Sequence, residues 1–176
     1  MRFIALLRGI NVGGNNIIKM VDLKACFVEM GFQNVATYIQ SGNVAFDAEV
    51  SDVEILTTNI EKGLSSRFHY ESVVVVVPQN QVEQIVGNAP EGFGTAPEEY
   101  RYDVFFLKSP MTATEAMTYI KAREGVDFVT AGDGVIYFSR LIAKAGQSYM
   151  TGILKTALYK HITIRNWNTT TKLTSL

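Results

Sequence analysis

Cysteine and histidine are nearly missing from this 176-residue sequence, which has one Cys and two His. A lone Cys26 closes no internal disulfide and supplies no multi-thiolate metal site. His69 and His161 by themselves do not build a histidine-rich zinc or iron centre, so no metal site is expected. Long apolar runs are missing too, since none approaches the roughly 18 residues of a membrane span. The opening apolar stretch, residues 3–7, is stopped by Arg8 and is too short for the core of a secretory signal. Charged residues make up 19% of the chain against 47% apolar, a globular mix that excludes disorder. The expectation is a cytoplasmic α/β protein without membrane association, built as one average domain or two small ones.

Acidic residues are absent from both ends of the chain. Residues 1–20 carry Arg2, Arg8 and Lys19 for a net of +3, and residues 134–176 carry six bases for a net of +6. The middle holds all 17 acids against 7 bases, and the total is −1. That total argues against a protein built mainly to coat nucleic acid. If the fold brings the two ends together, they form a positive face that concentrates anions. Scattered, solvated bases are the alternative.

The chain reads as two similar halves. Residues 3–7 form a buried strand, and Leu23, Cys26, Phe27 and Met30 recur at helical spacing before the stop at Gly31. Strands at 35–39 and 44–46 flank a turn-rich stretch of hairpin length. Ser51-Asp52-Val53-Glu54 has capping-box spacing and opens a second helix. Five valines at 73–77, closed by Pro78, suggest a strand covered on both sides. A joining helix with a capping box at 80–83 follows. Residues 87–98, rich in Gly and Pro, read as a loop, with a mobile lid as the other reading. The second half then repeats the order. It has a strand at 104–107, a helix capped by Thr112 and Glu115, and an Asp133-Gly134 hairpin between strands 128–130 and 135–138. A helix bearing Tyr149, Met150, Ile153, Leu154, Ala157 and Leu158, a strand at 162–164 and a small terminal helix complete it. Two βαββαβ units mean two tandem ferredoxin-like modules, 1–78 and 79–176, with helices packed on antiparallel sheets.

Three polar stretches could carry function. The Gly- and Asn-rich loop 8–16 joins a strand to a helix, where backbone N–H groups and a helix N-terminus can hold an anion. It is not an ATPase loop, because Asn15-Asn16 stands where Lys-Ser/Thr is required, and no dinucleotide glycine pattern is present. Arg8 and Lys19 bracket it, and Asn11, Asn15, Asn16 and Gln40 offer neutral hydrogen bonds. The plainer reading is that Gly13, Gly14 and the asparagines only permit tight turns. The second stretch is Tyr38-Ile39-Gln40-Ser41-Gly42-Asn43, an ordinary hairpin turn unless the first strand brings the loop beside it. The third, Arg165-Asn166-Trp167-Asn168-Thr169, holds the only tryptophan, which either stacks on a base or sugar or pins the terminal segment to the core.

Catalytic constellations are thin. Ser41 has no histidine nearby in sequence to act as its base. His69 reads as a surface or capping residue, His161 as solvated or structural, and Cys26 as a core thiol. No catalytic residue and no cofactor are assigned.

Residues 4–15, 37–44 and 165–169, in this order and spacing, resemble the bacterial domain-of-unknown-function family 1697 over nearly the whole chain. The resemblance implies duplicated α/β modules and a basic residue before the first helix, the place that Lys19 takes. Thr163-Ile164 departs slightly from the Thr-Thr that precedes the third motif in many members. No activity, substrate or catalytic residue is implied.

Three functions compete. The favoured one is binding of a small anionic or phosphorylated ligand by Arg8, Asn11, Gly13, Gly14, Asn15, Lys19, Tyr38, Gln40, Ser41 and Asn43, joined by Arg165, Asn166, Trp167 and Asn168. The second is nucleic-acid binding on a sheet face, against which the strands 4–7 and 73–77 offer no ring. The third is a structural or protein-interaction role without a ligand. Oligomeric state is left open.

Overall fold

Strand β1 (Arg2–Leu7) is covered on both faces, which is why its sequence is an unbroken apolar run: Phe3, Ile4, Ala5 and Leu6 are all fully buried. The computed structural model that shows this describes every residue from Met1 to Leu176. After β1 come α1 (Met20–Glu29), β2 (Gln33–Tyr38), β3 (Asn43–Asp47), α2 (Val53–Phe68) and β4 (Val74–Pro78). β1 is central and antiparallel to both β3 and β4, in the order β2-β3-β1-β4. Phe3, Leu7, Phe46 and Val76 turn one face of this sheet toward Leu23 and Phe27 of α1 and Leu56 and Ile60 of α2. Each such side chain, fully buried, contributes about 1.5–3 kcal/mol relative to exposure. Phe46 is the hub of the cluster, with the Phe3, Phe27 and Phe32 ring centroids 5.7, 5.5 and 4.5 Å away.

After α3 (Gln79–Gly87), the order repeats with β5 (Tyr100–Leu107), α4 (Ala113–Tyr119), β6 (Asp127–Ala131), β7 (Val135–Leu141), α5 (Met150–Ile153) and β8 (Ile162–Asn166), then α6 (Trp167–Leu173). The second sheet, ordered β6-β7-β5-β8, is again wholly antiparallel. Phe105, Ile136, Phe138 and Ile162 form its helix-covered face, packed on Ala116, Ile153 and Leu158. The architecture is therefore mixed α/β, with two similar βαββαβ modules, as the sequence repeat predicts.

The chain divides into two compact units, Met1–Val82 with Leu173–Leu176, and Glu83–Lys172. The last residues are tied into the first unit by Arg2 Nε, which donates to the Leu176 carbonyl at 3.1 Å, and by Gln79 Nε2, which donates to Thr174 O at 2.9 Å. No helix is long and apolar enough to cross a membrane.

Local chemistry departs from the sequence expectation in three places. Asp52, not Ser51, caps α2, because its carboxylate accepts from the amides of both Glu54 and Ile55. α3 starts directly after Pro78, so Asn80 lies inside the helix and caps nothing. The long helix expected over 149–158 is broken. It is replaced by α5 and by 3-10 turns at Ile142–Gln147 and Ala157–His161, with Ser148 and Thr156 in extended backbone. Gly146 and Gly152 weaken any continuous helix through this stretch. The capping box at Thr112 and Glu115 forms as expected.

Candidate functional site

The loop between β1 and α1 is a small hairpin finger. The Asn11 amide donates to Asn16 O and the Asn15 amide to Val12 O, both at 3.1 Å. Gly13 and Gly14, at φ +59° and +79°, are the two central residues of the tip. A two-residue tip with both φ positive strongly favours glycine. Asn11 and Asn16 also lie in the left-handed region, at φ +52° and +47°, which asparagine tolerates better than other side chains.

The finger is fastened to the turn 39–42. Asn11 Nδ2 donates to Ile18 O at 2.9 Å and to Gln40 O at 2.8 Å, while Asn11 Oδ1 accepts from the Ile18 amide at 2.8 Å. Asn16 Nδ2 reaches back to Gly9 O at 3.0 Å. The Leu7 amide donates to Gly42 O at 2.8 Å and the Arg8 amide to Val73 O at 3.0 Å. Arg8 therefore leaves the sheet between the turn and the entry to β4. Within the turn, the fully buried Asn43 donates from Nδ2 to Tyr38 O at 2.9 Å and to Ser41 Oγ at 3.1 Å.

Two of the three polar stretches thus meet within the first unit, and their residues divide by exposure. Gly13, Gly14, Asn15, Lys19 and Gln40 are exposed, and Arg8, Asn11, Tyr38 and Ser41 are half-buried. Asn11 and Asn43 hold main chain, whereas Arg8 and Lys19 bring positive charge. Lys19 is also the N-cap of α1, whose first-turn amides add partial positive charge beside Asp22. The third base of this segment, Arg2, is engaged at the other end of the sheet, 3.2 Å from Asp47 Oδ1. A cavity of about 630 Å³ at that end is lined by Asp47 and Glu49, which makes it unsuited to anions.

The third stretch belongs to the second unit. Arg165 on β8 is buried, with Nη1 donating to Ile164 O at 2.9 Å and to Thr163 Oγ1 at 3.3 Å. Burial pulls its guanidinium pKa down to about 10. Asn166 Oδ1 accepts from the Thr169 amide at 2.8 Å and so caps α6. Trp167 stands edge-on to Phe93 at 5.1 Å, and a Cβ on Gly94 would run into its indole. The pinning reading of Trp167 matches this packing. Asn166, Trp167 and the exposed Asn168 border a shallow cleft of about 170 Å³ shared with Arg101 and Tyr102.

A neighbouring cleft was not read from the sequence. On the face of the second sheet opposite its helices, Tyr102 pairs with Ser139 and Ser139 with Phe128, so these three stand in a row across β5, β7 and β6. With Tyr100, Tyr137 and Phe93 they line a cleft of about 280 Å³. Phe93, from the 88–99 connection, lies 4.9 Å from the Tyr102 ring and 5.4 Å from Tyr137, and the Ala96 amide donates to Tyr102 Oη at 3.3 Å. The segment is thereby anchored as an ordered loop. The strands cited against a nucleic-acid surface, β1 with only the buried ring of Phe3 and the ring-free β4, belong to the first unit. The period-two pattern Tyr100-x-Tyr102 was the available signal in the second.

Ser41 Oγ accepts from Asn43 Nδ2, an amide that cannot take its proton. His69 is an exposed left-handed C-cap of α2, and Cys26 is buried, with burial pushing its thiol pKa up.

A family model described as "Protein of unknown function (DUF1697)" matches residues 1–137. Among solved structures, the chain is similar to conserved bacterial protein SP0830 from Streptococcus pneumoniae. The TM-score is 0.84 at 23% identity, covering 99% of this chain and 97% of that one; at that identity the likeness concerns the fold. Among curated proteins, none matches the chain.

Proposed function

The chain belongs to the DUF1697 family of proteins of unknown function, and we propose that its first unit binds a small anionic or phosphorylated ligand at the 8–19 finger beside the 39–42 turn. Arg8 and Lys19 supply the charge. The exposed main chain of Gly13, Gly14 and Asn15 allows close approach, and Gln40 and Ser41 add neutral donors. Asn11 and Asn43 act as supports. The observation that carries this reading is the Asn11 carboxamide, which fastens finger to turn at 2.8 Å and also bonds Ile18, the residue before Lys19. Preorganised donors of this kind bind without the cost of ordering a loop.

A ligand-free scaffolding role is favoured by the same bonds, since Asn11 and Asn43 are engaged with main chain. The two readings part at the response to added anions, which a scaffold alone does not predict. Thermal-shift measurements with phosphate, pyrophosphate, AMP and glucose 6-phosphate at fixed ionic strength separate them. Binding predicts a concentration-dependent rise in Tm, equivalent to about 2.7 kcal/mol at a hundred times Kd. Lys19→Ala, at an exposed position, and Arg8→Ala reduce that rise while the circular dichroism spectrum stays unchanged. No shift with any of the four anions overturns the proposal.

A further inference from the structure

We infer that the cleft on the face of the second sheet opposite its helices is a stacking site for one flat, uncharged heteroaromatic ring of nucleobase size. Its walls are Tyr102 on β5 and Phe128 on β6, and its floor is Ser139 on the strand between them. Neighbouring strands lie roughly 4.8 Å apart, so the two walls rise from backbones roughly 9.6 Å apart. A planar ring between them can reach van der Waals contact, roughly 3.5 Å, on each side. Tyr100 closes one end, with its ring centroid 5.8 Å from Phe128 and 6.0 Å from Tyr102, and Phe93 closes the other.

Ser139 identifies the slot as a site for a ligand with a polar edge. It is 7% exposed and lines the cleft. Its hydroxyl can donate to or accept from a ring nitrogen or exocyclic group. The tyrosines beside it already have partners: Tyr137 Oη donates to Ile85 O at 2.6 Å, and Tyr102 Oη accepts from Ala96. Glu91 is the one charged residue lining the cleft, and its carboxylate disfavours an anionic ring. Phe128 is 48% exposed, so its face is accessible to a ligand ring. Aromatic stacking of a base on such a platform tolerates any base identity.

The ring can belong to a free nucleoside or to an unpaired base of a single strand. Titration of the wild-type protein with adenosine, guanosine, cytidine and uridine, and separately with a single-stranded RNA 8-mer, distinguishes these sources. Amide NMR shifts at Thr130 and Ser139 and emission of Trp167, which contacts Phe93, give the readout. The proposal predicts saturable binding, weakened about tenfold by Phe128→Ala. Ser139→Ala weakens it several-fold while the circular dichroism spectrum stays unchanged. Binding of nucleosides assigns a free ligand, and binding of the 8-mer alone, lost in Phe128→Ala, assigns a strand. Absence of saturation by every probe, or binding indifferent to both substitutions, overturns the assignment. The anion site of the first unit is untouched by either result.

Discussion

The side-chain amide of Asn11 sits 2.8 Å from the main-chain oxygen of Gln40, 29 positions along the chain. One carboxamide therefore joins the base of the finger, the approach to α1 and the β2–β3 turn, since it also bonds both the amide and the carbonyl of Ile18.

Asn11→Ala removes all three of these bonds and leaves the partly buried Ile18 amide and carbonyl without that partner. Destabilisation of about 1–3 kcal/mol is expected in denaturant unfolding. Asn11→Asp keeps the acceptor for the Ile18 amide and loses both donations, so it also destabilises. A loss below 0.5 kcal/mol in Asn11→Ala would mean that the finger is held by its main chain alone.

Gly42 is constrained twice. Its φ is +80°, and a Cβ there would lie 2.7 Å from Ile10 Cδ1 and 2.8 Å from Leu7 Cβ. Gly42→Ala is expected to cost about 1–3 kcal/mol through strain and overpacking, measurable as a lowered Tm. Gly14→Ala also strains a left-handed residue but meets open space, so it should cost less.

Asp47 responds to pH through its partners. The Asn34 amide at 2.6 Å, followed by Arg2, holds its carboxyl below the usual value of 3.8. The folded chain then binds this proton more weakly than the unfolded chain. The contact stabilises the fold above the usual carboxylate range and fades as pH falls through and below it. In Asn34→Ala, carboxyl NMR titration should show the Asp47 midpoint moving up toward 3.8. An unmoved midpoint would assign the effect to Arg2 instead.

Asp127 anchors the turn before β6, with Oδ2 accepting from the Arg123 and Tyr149 amides, each at 2.9 Å. Asp127→Ala strands these part-buried donors and should destabilise the second unit by about 1–3 kcal/mol. Hydrogen exchange localises the loss, with faster exchange expected at Arg123 and Tyr149.

The tandem repeat was legible because strands buried on both faces and helices with one apolar side leave different periodicities. The valines of β4 and the spacing of Leu23, Cys26 and Phe27 are the clearest cases. The nearness of finger and turn was readable only as a condition on strand direction; the antiparallel β1–β3 register, Leu6 opposite Asn43, supplies it. The ring-lined cleft was not legible. Tyr102, Phe128 and Ser139 come from three strands, and their shared face depends on two registers that no local pattern encodes. The broken 142–161 segment escaped for the opposite reason, because its apolar spacing suits a helix while extended residues such as Thr156 interrupt the chain.

The anion-binding reading is tested most directly by amide NMR of the full chain titrated with pyrophosphate at constant ionic strength. It predicts saturable shifts concentrated at Gly13, Gly14, Asn15, Lys19, Gln40 and Ser41, abolished by Arg8→Ala. Shifts that stay absent, or that arise only within residues 83–172, contradict it.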